Sequence, residues 1–159
     1  MSNSDKAAIE LPVQKQLEAY NARDIDSFIQ WWADDCRYYE FPARLLASGA
    51  AEIRERHVAR FREPDLHGTL VKRIVVDDVV VDQETVTRTF PDGTGEVDVV
   101  AIYEVKDGKI ANAWFRAGLR RLHAATDIRR ALPPDAVAVR ELTQATASSG
   151  MATVRGSGL

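Results

Sequence analysis

The fold class this sequence predicts is α+β, with three N-terminal helices packed on a curved, mainly antiparallel sheet of about six strands. Three observations predict it. Apolar residues recur at helical spacing from Ile9 to Phe61, broken only by short β-like stretches. After Leu66 the texture changes to long β-rich runs separated by turn residues. The three Trp, four Tyr and five Phe all fall between Tyr20 and Phe115, so the packed domain should end soon after Phe115.

In chain order, Ile9, Val13, Leu17 and Tyr20 share one face of a first helix. Asn21–Arg23 breaks the pattern, and Asp24 is a good N-cap for a second helix whose stripe is Ile25, Phe28, Ile29 and Trp32, closed by Asp34-Asp35. Cys36–Phe41 reads as a short strand stopped by Pro42, and Leu45–Ser48 as another. Ser48 or Gly49 can cap a third helix carrying Ile53, His57 or Val58, and Phe61, ended by Pro64. Four strands follow. His67–Val76 and Val79–Phe90 meet at Asp77-Asp78, and residues 91–95 form a turn. Glu96–Lys106 and Lys109–Leu119 are joined by Asp107-Gly108, a strong hairpin signal. The expected domain spans residues 1–122. Residues 123–159 form a C-terminal extension, helical in part between Asp135 and Ala147 and flexible after it.

Bulk composition excludes several classes. With 21 basic and 24 acidic residues the formal net charge is −3, which offers no general attraction for nucleic acid or an anionic membrane. The Arg116, Arg120, Arg121, Arg129 and Arg130 run has no aromatic residue after Phe115 to stack bases and reads as a solvated strand end and helix. No stretch approaches the ~18 apolar residues that span a bilayer. The N-terminus lacks a basic start and apolar run, so a cytoplasmic location is expected. Cys36 is the one cysteine and reads as a buried apolar residue. His57, His67 and His123 are too scattered for a metal site, and no Gly-rich phosphate cradle or serine elbow is present, so neither metal nor cofactor is expected.

Four words of sequence, Ala19-Tyr20-Asn21-Ala22-Arg23-Asp24, Trp32-Ala33-Asp34-Asp35, Gly49–Arg54 and Ala101–Ile110, resemble in order and spacing the nuclear transport factor 2-like superfamily. The likeness is to its SnoaL-like and ketosteroid isomerase-like branch. It implies a cone-shaped fold with a pocket between the helices and the concave face of the sheet, and homodimerisation through the convex face. By that resemblance Glu40 falls where ketosteroid isomerases carry the proton-abstracting carboxylate. The tyrosine and protonated aspartate that polarise the substrate carbonyl in those enzymes, a worked case of pKa tuning, correspond here to Gln16 and Ala101. Classical steroid isomerase activity is therefore not expected.

Several residues could carry chemistry. Glu40 either sits among Trp32, Tyr38, Tyr39 and Phe41 as a base, or pairs with Arg37 or Arg44 at a strand end. Asp82, Glu84, Val86 and Arg88 alternate onto one face of a strand. That face looks into the pocket by the resemblance, or onto the convex side if a bulge shifts the register. His57 either reaches the pocket or packs between helices. The expected catalytic set is Glu40, Asp82 and Glu84. The expected substrate-binding set is Trp32, Tyr38, His57, Val86, Arg88, Tyr103 and Phe115. Two functions fit these readings. One is an enzyme performing cofactor-free acid–base chemistry (isomerase, cyclase, dehydratase or epoxide-hydrolase type) on a small apolar organic substrate. The other is a non-catalytic ligand-binding or dimerisation module of the same fold.

Overall fold

The computed structural model describes residues 2–123; the rest of the expected C-terminal extension lies outside them. Helices α1 (Asn3–Ala22) and α2 (Ile25–Ile29) come first, followed by strands β1 (Trp32–Glu40) and β2 (Arg44–Ser48). Helix α3 (Ala50–Arg60) precedes the meander β3 (His67–Val76), β4 (Val79–Phe90), β5 (Gly93–Lys106) and β6 (Lys109–Leu122). All six strands form one sheet in the order β2-β1-β6-β5-β4-β3, antiparallel except where β1 runs parallel to β6.

Two expectations change. Only α1 and α2 are N-terminal, because α3 follows the β1–β2 hairpin. The second helix is a single short turn, and Trp32 opens β1 instead of closing that helix. Phe28 and Trp32 are both buried, but the tilted contact between their rings joins a helix to a strand. The 91–95 turn is also tighter than expected, since β5 starts at Gly93. The ends of β3 and β4 fall where Asp77-Asp78 placed them.

The motif residues after α1 tie that helix to the sheet. Arg23 takes a left-handed conformation (φ 54°) that stops the helix, and its guanidinium donates to the carbonyls of Pro64 (3.0 Å) and Leu66 (3.2 Å). The Asn21 amide imitates a strand edge, donating to the Gly68 carbonyl at 2.9 Å and accepting from its N–H at 2.7 Å. The approach at Gly68 is close, since a Cβ there would meet Leu17 Cδ1 at 3.1 Å and that side chain would have to give way by a few tenths of an ångström. Asp24 then caps α2 by accepting from the Ser27 N–H and hydroxyl.

Strict alternation sends one set of side chains from β4, β5 and β6 towards the helices. This inner face carries Val80, Asp82, Glu84, Val86 and Arg88, then Val97, Val99, Ala101, Tyr103 and Val105, then Ala113, Phe115 and Ala117, all buried. Asp82, Glu84 and Arg88 thus face inwards. The alanines keep the floor of the cone low, while Phe28, Trp32 and Ile53 roof it. A bulge in β3 sets the far wall: Leu70 pairs with Glu84, but the next pair is Lys72 with Gln83, so Val71 is an extra residue. Arg73 consequently falls opposite Asp82.

Candidate active site

Between α1, α3 and the inner face lies a cavity of about 50 Å³ lined mostly by apolar and aromatic side chains. Its polar groups among the described residues are Gln16 from α1, His57 and Arg60 from α3, Glu84 from β4, and Tyr103 from β5, with Tyr20, Tyr38 and Trp32 contributing amphipathic rings. At this size it holds about four water-sized groups.

Glu84 is the electrostatic centre. It is only 7% exposed, and its Oε1 is buried with no hydrogen-bond partner. Burial, reinforced by the negative charge of Asp82 and only partly offset by Arg73, pushes its carboxyl from the ordinary 4.5 up to about 7. Asp82 is different. Fully buried, it receives both prongs of Arg73 (Nε to Oδ1 2.7 Å, Nη2 to Oδ2 2.9 Å), and Arg73 Nη1 also donates to Gln14 Oε1 at 2.9 Å, clamping α1 to the sheet. Two carboxylates two residues apart therefore share one arginine unequally. The one left over faces the cavity wall.

Next to Glu84, the Tyr103 hydroxyl accepts a hydrogen bond from Gln16 Nε2 at 3.3 Å. Burial and the charges of Glu84 and Asp82 hold the phenol well above its ordinary range, so it stays a donor. His57 Nδ1 lies 2.8 Å from the Ile53 carbonyl, which can only accept; the ring proton therefore sits on Nδ1 and Nε2 is an acceptor. Burial lowers His57 to about 3, with Arg60 and Arg56 adding to the shift and the Ile53 bond opposing it. The ring is neutral at working pH. Below pH 6.5 the unfolded chain takes up a proton that the folded ring refuses, so the ring's own contribution to stability falls as pH drops, by about 2 kcal/mol between pH 6.5 and 5, against the opposite contribution of Glu84. His57→Gln should remove that contribution, so that in urea melts the stability at pH 5 relative to pH 6.5 rises by about 2 kcal/mol compared with the wild type. An unchanged difference would assign the acid sensitivity to other groups.

At the other end, Glu63 accepts from Arg88 Nε (2.9 Å) and Nη2 (2.7 Å) and from the Thr89 N–H (3.0 Å), with Arg60 Nε 3.4 Å away. Burial pushes the Glu63 carboxyl up, but these hydrogen bonds outweigh it and hold it below its ordinary range. The cavity thus has a carboxylate end at Glu84 and a guanidinium end at Arg60.

Of the expected residues, Trp32, Tyr38, His57, Glu84, Val86, Tyr103 and Phe115 line the cavity together. Asp82 and Arg88 stand on the same inner face but are held by Arg73 and Glu63. Glu40 lies at the end of β1, a quarter exposed, with Arg44 at 3.7 Å, and is not among the lining residues. Arg60, Tyr20 and Glu63 had not been singled out. Arg60 shares a helical face with Ile53 and His57 through 3–4 spacing, the one signal that could have found it. Among the described residues no group of three or more His, Cys, Asp or Glu is placed to hold a metal ion, and no helix is long and apolar enough to cross a membrane.

Comparison with known proteins agrees with this fold. Residues 13–113 match the SnoaL-like domain family. Among solved structures, an uncharacterised cystatin-fold protein from Novosphingobium aromaticivorans is 26% identical, with a TM-score of 0.62 over 68% of this chain and 96% of that one. An LEH-like epoxide hydrolase from M. tuberculosis superposes with a TM-score of 0.63 at 16% identity, over 72% of this chain and 85% of that one. A proposed polyketide cyclase from Sinorhizobium meliloti gives 0.57 at 22% identity, over 66% and 93%. At those two identities the likeness is one of fold alone. No curated protein matches the sequence.

Proposed function

The chain belongs to the SnoaL-like domain family, and from that premise we propose that it is an enzyme performing cofactor-free acid–base chemistry on a small, largely apolar organic molecule. The observation that carries this reading is Glu84, a buried carboxyl with a partnerless oxygen, tuned to about 7 beside an apolar cavity. A group that is half ionised near neutrality can both take and return a proton. Tyr103, held by Gln16, supplies a hydroxyl donor in place of the one missing at residue 101. Asp82 acts through its charge on Glu84, while Glu40 has no part in the proton transfer. The epoxide hydrolase and cyclase named among the fold neighbours mark the range of reactions to try. The test is a pH–rate profile on carbonyl and epoxide substrates: kcat/KM should inflect near pH 7, and a flat profile across pH 5–9 would remove Glu84 from the mechanism.

A second reading, a non-catalytic ligand-binding module, is favoured by the modest cavity and by Ala101, which brings no donor to its floor. Binding without turnover would decide for it.

The proposal includes a homodimer formed through the convex face. Tyr39 and Trp114 stack there at 5.6 Å and 9°, beside exposed Phe41 and Val100, and Phe41, Val100 and Ile102 line an open depression with Arg116. Such an apolar face suits a subunit contact of about 800 Å² per partner. Trp114→Arg should convert a dimer to a monomer in sedimentation without altering the fold; a wild type that sediments as a monomer overturns this part.

A further inference from the structure

Two residues lining the cavity each carry a buried polar atom with no hydrogen-bond partner, Trp32 Nε1 and Glu84 Oε1. Each such group costs on the order of 1–3 kcal/mol when left unsatisfied, so a pair of them flanking one space is a signature of something that enters it. They are also of opposite kind. An indole nitrogen only donates, whereas Glu84 accepts when ionised and donates when protonated. Trp32 is 2% exposed and held by rings on several sides, with Phe28 at 5.6 Å, Tyr38 at 5.9 Å and Tyr103 at 6.3 Å, so the indole cannot turn to find water.

The pairing selects a ligand chemistry. An organic ammonium would satisfy Glu84 but leave the indole N–H orphaned. A carboxylate would satisfy the indole but meet the negative charges of Glu84 and Asp82. A neutral carbonyl serves both ends, placing its oxygen on the indole and a hydrogen of the adjoining carbon against the carboxylate. The Tyr103 hydroxyl, already receiving the Gln16 amide, is a second donor for that oxygen. The apolar part of the remaining lining (Phe28, Val86, Val97, Val99, Phe115) suits an apolar frame, while the Arg60 guanidinium and His57 stand at the other end.

We propose that the Trp32 indole N–H is a substrate-binding donor, and that the ligand is a small neutral carbonyl compound whose oxygen it receives. This rests on the cavity being the substrate site. The test uses the full-length chain labelled with ¹⁵N in the tryptophan indoles, titrated with acetone and with 2-methylpropene, which has the same four-atom frame with a methylene in place of the oxygen. The Trp32 signal is identified as the one retained in both Trp31→Phe and Trp114→Phe. The ketone should move the Trp32 indole proton downfield and the hydrocarbon should not. The ketone-to-hydrocarbon affinity ratio should fall about 3–10-fold in Trp32→Phe, the worth of one hydrogen bond. If both ligands perturb cavity residues but the indole proton ignores the ketone, or the ratio is unchanged in the variant, the donor role is overturned and the cavity reading stands. If neither ligand perturbs Trp32, Tyr103 or Phe115, both fall. Because Trp31→Phe and Trp114→Phe assign the Trp32 signal by elimination, a Trp32→Phe chain that fails to fold still leaves the question decided.

Discussion

Glu84→Gln is expected to lose activity by about 10²–10⁴-fold and yet to be the more stable protein at pH 8. Both effects come from the same burial. The glutamine keeps the shape of the side chain but cannot exchange a proton, so kcat should collapse with KM little changed. The stability change follows by linkage. Glu84 titrates near 7 when folded and near 4.5 when unfolded, so the folded state holds its proton more tightly. The contribution of Glu84 should therefore fall as pH rises from 4.5 through 7, by about 3 kcal/mol in all, and stay flat above. Glutamine does not ionise, so the variant should lack that fall. Denaturant melts at pH 5 and pH 8 for both proteins check it. Equal pH dependence in the two would mean that Glu84 is not the buried acid, and retained activity would place the proton transfer elsewhere.

The second large effect is expected at Arg73. Arg73→Met strands the fully buried Asp82 carboxylate, and breaking one side of such a pair costs about 3–5 kcal/mol. It also frees the contact between Gln14 and the sheet. The double variant Arg73→Met/Asp82→Leu should regain most of that loss, because the expense lies in the orphaned charge and not in the missing bond. The pair also tunes the Glu84 carboxyl. With Asp82 gone the negative neighbour that helps raise Glu84 is removed, and the pH–rate inflection should move to lower pH. A double variant as unstable as the single, by urea midpoint, would refute the charge argument.

Much of the fold was legible because local signals and tertiary packing agree. Asp77-Asp78 and Asp107-Gly108 mark hairpins whose strands alternate cleanly, and the face shared by Asp82, Glu84, Val86 and Arg88 follows from a period of two. Trp32 was misread because a residue four after Phe28 continues a helical stripe equally well as it opens a buried strand. Which carboxylate is left without an arginine was hidden for a different reason. Asp82 and Glu84 look alike along β4, and only the partner strand separates them. Glu40 was reached by counting from a motif; such counting locates a backbone position but not the Arg44 side chain that meets it across the hairpin.

The extra residue in β3 has a consequence for comparing this chain with its relatives. Carried on from Gly68 and Leu70, strict alternation would bring Lys72 inward over Asp82; the bulge at Val71 brings Arg73 instead. A lysine offers a point charge where the arginine offers a two-pronged fork, so one residue of strand length chooses the cation and, through it, how firmly Asp82 is neutralised beside Glu84. Insertions and deletions in an edge strand are usually read as noise. Here a gap of one position would be a change of chemistry, and aligning relatives without allowing for it would match the wrong base to the acid.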